Sequence, residues 1–141
     1  MKFSRIIIIL VICAAVIATG FFLFLRQKTG APVANDKIKI DFPLPGAEIG
    51  SPITIKGEAR GPWYFEAVFP VKIIDGNGKQ LGAAQARAQG EWTTTDFVPF
   101  EATLTFDKPT TPTGTLILEN DNPSGLPQFA DSVSVPVKFS K

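Results

Sequence analysis

Two hydrophobic regimes divide the chain. From Ile6 to Leu25, twenty consecutive positions carry no charge and are mostly Ile, Val, Leu, Ala and Phe. At about 1.5 Å per residue such a helix spans roughly 30 Å, the thickness of a bilayer's hydrocarbon, so the run predicts one transmembrane helix. From Lys37 onward the period becomes two. Ile38, Ile40 and Phe42 alternate with Lys37, Lys39 and Asp41, and Ile53, Ile55, Gly57 and Ala59 with Thr54, Lys56, Glu58 and Arg60. That alternation is the mark of strands with one face buried.

The same rhythm continues. Phe65, Ala67, Phe69, Val71 and Ile73 form an inward row, and Asp75-Gly76-Asn77-Gly78 follows as a hairpin turn of residues that tolerate positive φ. Ala84, Ala86 and Ala88 alternate with Gln85, Arg87 and Gln89; Phe100, Ala102, Leu104 and Phe106 make another row, Leu116 and Leu118 a shorter one, and Val133, Val135, Val137 and Phe139 the last. All twelve prolines lie beyond the apolar run, at turns such as Pro43-Leu44-Pro45-Gly46, Pro109 to Pro112 and Asn122-Pro123-Ser124-Gly125. Pro70 and Pro136 should mark edges or bulges, since neither can donate to a ladder. Seven short strands over this length, with no sustained helical period, predict an all-β, immunoglobulin-like sandwich of two sheets.

Composition narrows the chemistry. The 141 residues contain no His and one Cys, so no Ser-His-Asp or Cys-His pair and no His-ligated metal site can exist. The thiol, Cys13, lies inside the apolar run, and the domain beyond it holds no disulfide. With a formal charge of +1 and no basic cluster away from the N-terminus, nucleic acid is excluded as a partner.

The organisation expected is a short tail at 1–5, the transmembrane helix at 6–25, a linker at 26–36 and an immunoglobulin-like domain at 37–141. Lys2 and Arg5 precede the run and Arg26 and Lys28 follow it. A lipoprotein signal would need a small residue before Cys13, where Ile12 stands. Cleavage near Ala18 to Gly20 would leave a product beginning with Phe21-Phe22-Leu23-Phe24-Leu25, so an uncleaved anchor is the better reading. The flanking basic residues balance; the free amino terminus tips the orientation inward, and long domains cross largely regardless of charge. The chain is therefore read as a single-pass cell-membrane protein whose C-terminal domain is extracytoplasmic, with residues 6–25 contacting the lipid bilayer. The linker, including Thr29-Gly30-Ala31-Pro32, keeps that domain near the surface.

Many segments of the domain, in order, resemble one family. They include Pro45-Gly46-Ala47, Ser51-Pro52, Gly57-Glu58-Ala59-Arg60-Gly61, Trp63-Tyr64-Phe65-Glu66-Ala67, Phe69-Pro70-Val71, Ala86 to Trp92, Thr94-Thr95-Asp96-Phe97 and Asp121-Asn122-Pro123-Ser124-Gly125. From about Ile38 to Phe139 the chain resembles the immunoglobulin-like domain of bacterial spore germination proteins. The resemblance implies a bacterial, extracytoplasmic, two-sheet domain attached to a germination-type module or a membrane anchor, and carries over no catalytic residue. The germination-type module is not visible in this chain, so the resemblance leaves a role in sporulation open.

The candidate ligand surface is aromatic. Trp63 and Tyr64, with Trp92, could form a stacking platform for a sugar or peptide, with Arg60, Glu66 and Asp96 as polar partners. The competing reading packs the aromatics between the sheets and pairs Arg60 with Glu66; on it Trp92 is buried beside the alanine row, and Tyr64 or one Trp stays exposed. Glu119-Asn120-Asp121-Asn122-Pro123 has the oxygen-rich look of a calcium run, yet a turn capped by its own Asn and Asp accounts for it, and neither metal nor cofactor is expected. Glu58, Glu66, Glu91, Asp96 and Glu101 are the carboxylates a glycoside hydrolase would draw on. Solvated positions on polar strand faces explain them as well. The expectation is a non-enzymatic binding or assembly module with a cell-wall or protein partner; the alternatives are a small cell-wall or carbohydrate hydrolase and a structural spacer.

Overall fold

The computed structural model describes residues 30–140. Among them no helix is long and apolar enough to cross a membrane; the segment expected to do so, at 6–25, lies outside the described residues. Nine strands run in chain order: β1 (Val33–Ala34), β2 (Ile38–Phe42), β3 (Glu48–Ile49), β4 (Ile53–Arg60), β5 (Val68–Asp75), β6 (Gln80–Ala88), β7 (Phe97–Leu104), β8 (Thr113–Glu119) and β9 (Ser132–Phe139). The seven longer ones are those that the alternation marked, and β1 and β3 are two-residue additions.

Hydrogen bonding follows the order β1-β2-β4-β7-β6-β5-β8-β9-β3. Strands β1, β2, β4 and β7 make one layer, and β6, β5, β8, β9 and β3 the other. A short ladder, Arg87 with Glu101 and Ala88 with Phe100, joins them along one edge. All pairs are antiparallel except β3 with β9. The inner faces meet in one core, where Ile38, Ile55, Phe69, Ile73, Leu104, Leu116, Leu118 and Val135 are fully buried. Phe69 of β5 meets Phe100 of β7 edge to face, ring centroids 4.9 Å apart, a geometry that the aromatic quadrupoles favour.

The two strand prolines sit where no ladder needs them. Pro70 precedes the first β5–β8 pair, Val71 with Leu118. The Pro136 carbonyl accepts from the Gly46 N–H at 2.7 Å. Its ring nitrogen therefore faces that side too, away from β8.

Two inward rows break down: in β2 a register shift after Ile40 leaves Phe42 46% exposed, and the row leading into β5 fails at its start. Phe65 and Ala67 were expected to point into the core with Phe69, but β5 begins only at Val68 and Phe65 is 44% exposed. Phe65 and Val68 exchange both backbone hydrogen bonds, at 3.0 and 3.1 Å, around Glu66 (φ 50°) and Ala67 (φ 65°). That tight turn flips the chain and throws Phe65 outward. Phe106, expected inward, lies beyond β7 and is only half-buried, its ring 5.7 Å from that of Phe139.

Candidate functional site

Four connections converge on one end of the sandwich: the β1–β2 turn at 35–37, the β4–β5 loop at 61–67, the β6–β7 loop at 89–96 and the β8–β9 loop at 120–131. They are tied together. The Arg60 N–H donates to the Lys37 carbonyl at 2.8 Å, the Asp121 N–H to Trp63 at 3.0 Å, and the Gly61 N–H to Asp96 at 3.3 Å. Pro62 opens a turn of 3₁₀ helix, Gly61–Trp63, whose close contact with the Thr94 and Trp92 carbonyls leaves no room for a side chain at 61. The turn drives the Trp63 ring inward.

The structure separates the six candidate residues. Trp63 and Tyr64 are 3% and 4% exposed, so neither offers an open ring face. Tyr64, expected to stay exposed unless a Trp did, is instead anchored inside: its hydroxyl donates to the Val98 carbonyl at 2.7 Å, and burial pushes its pKa up. Trp92, expected in the core beside the alanines, is only half-buried over an open hollow with Pro62 and Tyr64. The alanine row packs the core with Ala86 alone fully enclosed, and Leu81 enters from the other side of a register shift.

The expected Arg60–Glu66 ion pair does not form. Glu66 is held in the exposed turn, and Arg60 reaches the other way: Nε donates to the Asp36 carbonyl at 2.6 Å and Nη1 to the Thr95 carbonyl at 2.9 Å. The guanidinium carbon lies 4.3 Å from the centre of the Phe97 ring, which Lys39 also approaches at 4.0 Å. No carboxylate lies within ion-pair distance of Arg60 among the described residues. Asp96 is exposed, and its N–H donates to Thr94 Oγ1 at 3.1 Å.

Beside Arg60 a pocket of about 360 Å³ opens between the loops, walled by Trp63, Pro62, Phe129 and Ala130 and rimmed by Lys37 and Asp131. Lys37 Nζ and Asp131 Oδ2 pair at 2.6 Å, a bond that raises the lysine's pKa. Phe129 is 58% exposed. Trp63 Nε1 is, among the described residues, the one buried side-chain nitrogen or oxygen with no hydrogen-bond partner. Sequence reading missed Lys37, Phe129 and Asp131. Phe129 did leave a signal: an aromatic residue in a Pro- and Gly-rich stretch without strand alternation.

The oxygen-rich run is occupied by its own turn. Asn120 Oδ1 accepts from the Asp131 N–H at 2.7 Å and Asn120 Nδ2 donates to Phe129, while Asn122 Nδ2 donates to Leu126 and Asn122 Oδ1 accepts from Ser124. Among the hydrolase candidates, Glu58 pairs with Lys39 at 2.6 Å and Glu101 with Lys56 at 3.0 Å, each across a strand pair. Glu91 accepts from Thr93 Oγ1 and N–H, which hold its carboxyl below the usual range.

No curated protein and no solved structure matches the chain. A family model does, over residues 37–125, from the residue before β2 into the β8–β9 loop, and that stretch holds most of both sheets, two of the four converging connections in full and parts of the other two. By that match the chain belongs to the family described as the immunoglobulin-like domain of bacterial spore germination.

Proposed function

We propose that the chain is a membrane-anchored, extracytoplasmic binding module at the bacterial cell surface, non-enzymatic, which contacts its partner with the loop end around the Arg60 pocket. One observation carries this reading. Of the four large hydrophobic side chains that stand exposed among the described residues, Phe65, Leu126 and Phe129 all belong to the loops at that end. Exposed apolar groups gathered on converging loops of a rigid sandwich are characteristic of a contact surface. The anchor rests on the apolar run at 6–25, and the absence of catalysis on the engagement of Glu58 and Glu101 by lysines.

Full-length chain should resist carbonate extraction from membranes, and protease added to intact spheroplasts should remove its domain. Incubated in detergent with labelled wall fragments and with surface proteins, it should retain a partner without releasing a product. Product release would establish a hydrolase, and release from the membrane as a shortened soluble chain would establish signal cleavage.

A further inference from the structure

We propose that the Arg60 pocket receives an acidic, apolar peptide segment of a partner protein, a proposal that rests on the binding-module reading and names its ligand. In this assignment Arg60 takes a carboxylate, the wall between Trp63 and Phe129 takes an aliphatic or aromatic side chain, and the Trp63 indole N–H takes a main-chain carbonyl.

Arg60 is already held for the task. Two backbone carbonyls hold the guanidinium at Nε and Nη1 and the Phe97 ring supports it, so little side-chain freedom is left to lose on binding. Those bonds use neutral acceptors and leave its charge uncompensated. Around the pocket, Lys37 and Asp131 cancel, and Arg60 makes the balance positive. One carboxylate completes it.

The apolar wall supplies the second requirement. A pocket of about 360 Å³ lies at the small end of ligand sites, enough for one large side chain and its flanking backbone. Phe129, exposed at its mouth, can be covered by such a group.

The third requirement is unusual. A buried N–H without an acceptor costs free energy, and the Trp63 ring, 3% exposed and packed at right angles to Phe69 with centroids 6.4 Å apart, has little room to turn toward one. Trp63 lines the pocket, and its donor has no bond to give up to the carbonyl of an arriving segment. Carboxylate, apolar side chain and carbonyl occur together within two residues of an acidic peptide. A sugar fits less well, since Trp63 shows no face on which to stack, and a polyphosphate would meet a single uncompensated cation.

Full-length protein in detergent micelles is panned against a randomised heptapeptide library. Expected are sequences joining Asp or Glu to Leu, Phe, Tyr or Trp; a synthesised winner should bind at least about tenfold more weakly to Arg60→Gln and to Phe129→Ser. Trp63→Phe, which keeps a ring and deletes the donor, should weaken it by about fivefold, the worth of one hydrogen bond. Because Arg60→Gln could loosen the loops, melting midpoints are compared, and Phe129→Ser, altered only at an exposed ring, keeps the test decisive. Enrichment no greater than on empty micelles, a basic consensus, or winners that bind the variants equally would overturn the proposal. Wall fragments retained where no peptide is enriched would overturn the peptide alone; neither retained would overturn the binding module with it.

Discussion

Gly57 and Phe100 stand opposite each other in the β4–β7 pair, and the phenyl ring fills the space that a side chain at 57 would need. A Cβ there would lie 2.8 Å from Phe100 Cζ and would also strike the Lys39 carbonyl of β2. The glycine lets β2, β4 and β7 close around the ring that meets Phe69. Glycine inside a strand ordinarily weakens it, and close approach is the compensation.

Gly57→Ala should therefore lower stability by about 1–3 kcal/mol, as overpacking does, because one of the atoms in the way is backbone and cannot rotate aside. Gly90→Ala, where the nearest atom to a new Cβ is 3.9 Å away, is the matched control and should melt like wild type. Urea unfolding of both checks it.

The two tryptophans should separate sharply. Trp63→Ala empties a buried site and should cost about 3–5 kcal/mol, whereas Trp92→Ala, at a half-buried ring over an open hollow, should cost about 1 kcal/mol. Equal shifts in melting midpoint would contradict the placement of Trp63.

Ala67→Gly should stabilise the domain by about 1 kcal/mol, since φ of 65° is costly with a Cβ and free without one. An unchanged or lower urea midpoint would show that the turn conformation is relaxed in solution.

Asp75, 3% exposed, ends β5, its carboxylate accepting from Thr110 Oγ1 at 2.6 Å and from the N–H groups of Asn77 and Lys79. Those bonds, the Thr110 hydroxyl first, hold its pKa below the ordinary 3.8. A depressed folded-state value means that the ion contributes stability above the unfolded pKa, and that the contribution is lost as pH falls through the folded one. Stability measured from neutral pH downward should be flat for this group until the pH reaches the usual carboxylate range, should then fall until the pH passes the depressed folded-state value, and Asp75→Asn should remove that acid-sensitive step.

The strands were legible because alternation reports burial directly. Ile38 and Ile40, Ile53 and Ile55, and Val133, Val135 and Val137 each face inward as their period requires. Reading failed where the backbone departs from that period. Glu66 and Ala67 adopt a turn that Asn and Gly would announce, so nothing in their side chains warned that Phe65 would turn outward. Arg60 was recognised as a site residue, but its partners are carbonyls of Asp36 and Thr95, and carbonyls are the same at every position. The pocket joins Lys37 to Asp131 across most of the domain's length in sequence, a proximity created where the two layers face each other.

Strand β1 runs toward the pocket, and Gly30, at its far side, is fastened to Pro45 by a 2.7 Å hydrogen bond. Tension between a partner held at the loops and the chain preceding Gly30 would thus be directed along the strands. In that direction the rungs between β1, β2 and β4 are sheared together instead of being unzipped one at a time. The domain is built to hold under a lengthwise pull and to yield more readily to a sideways one.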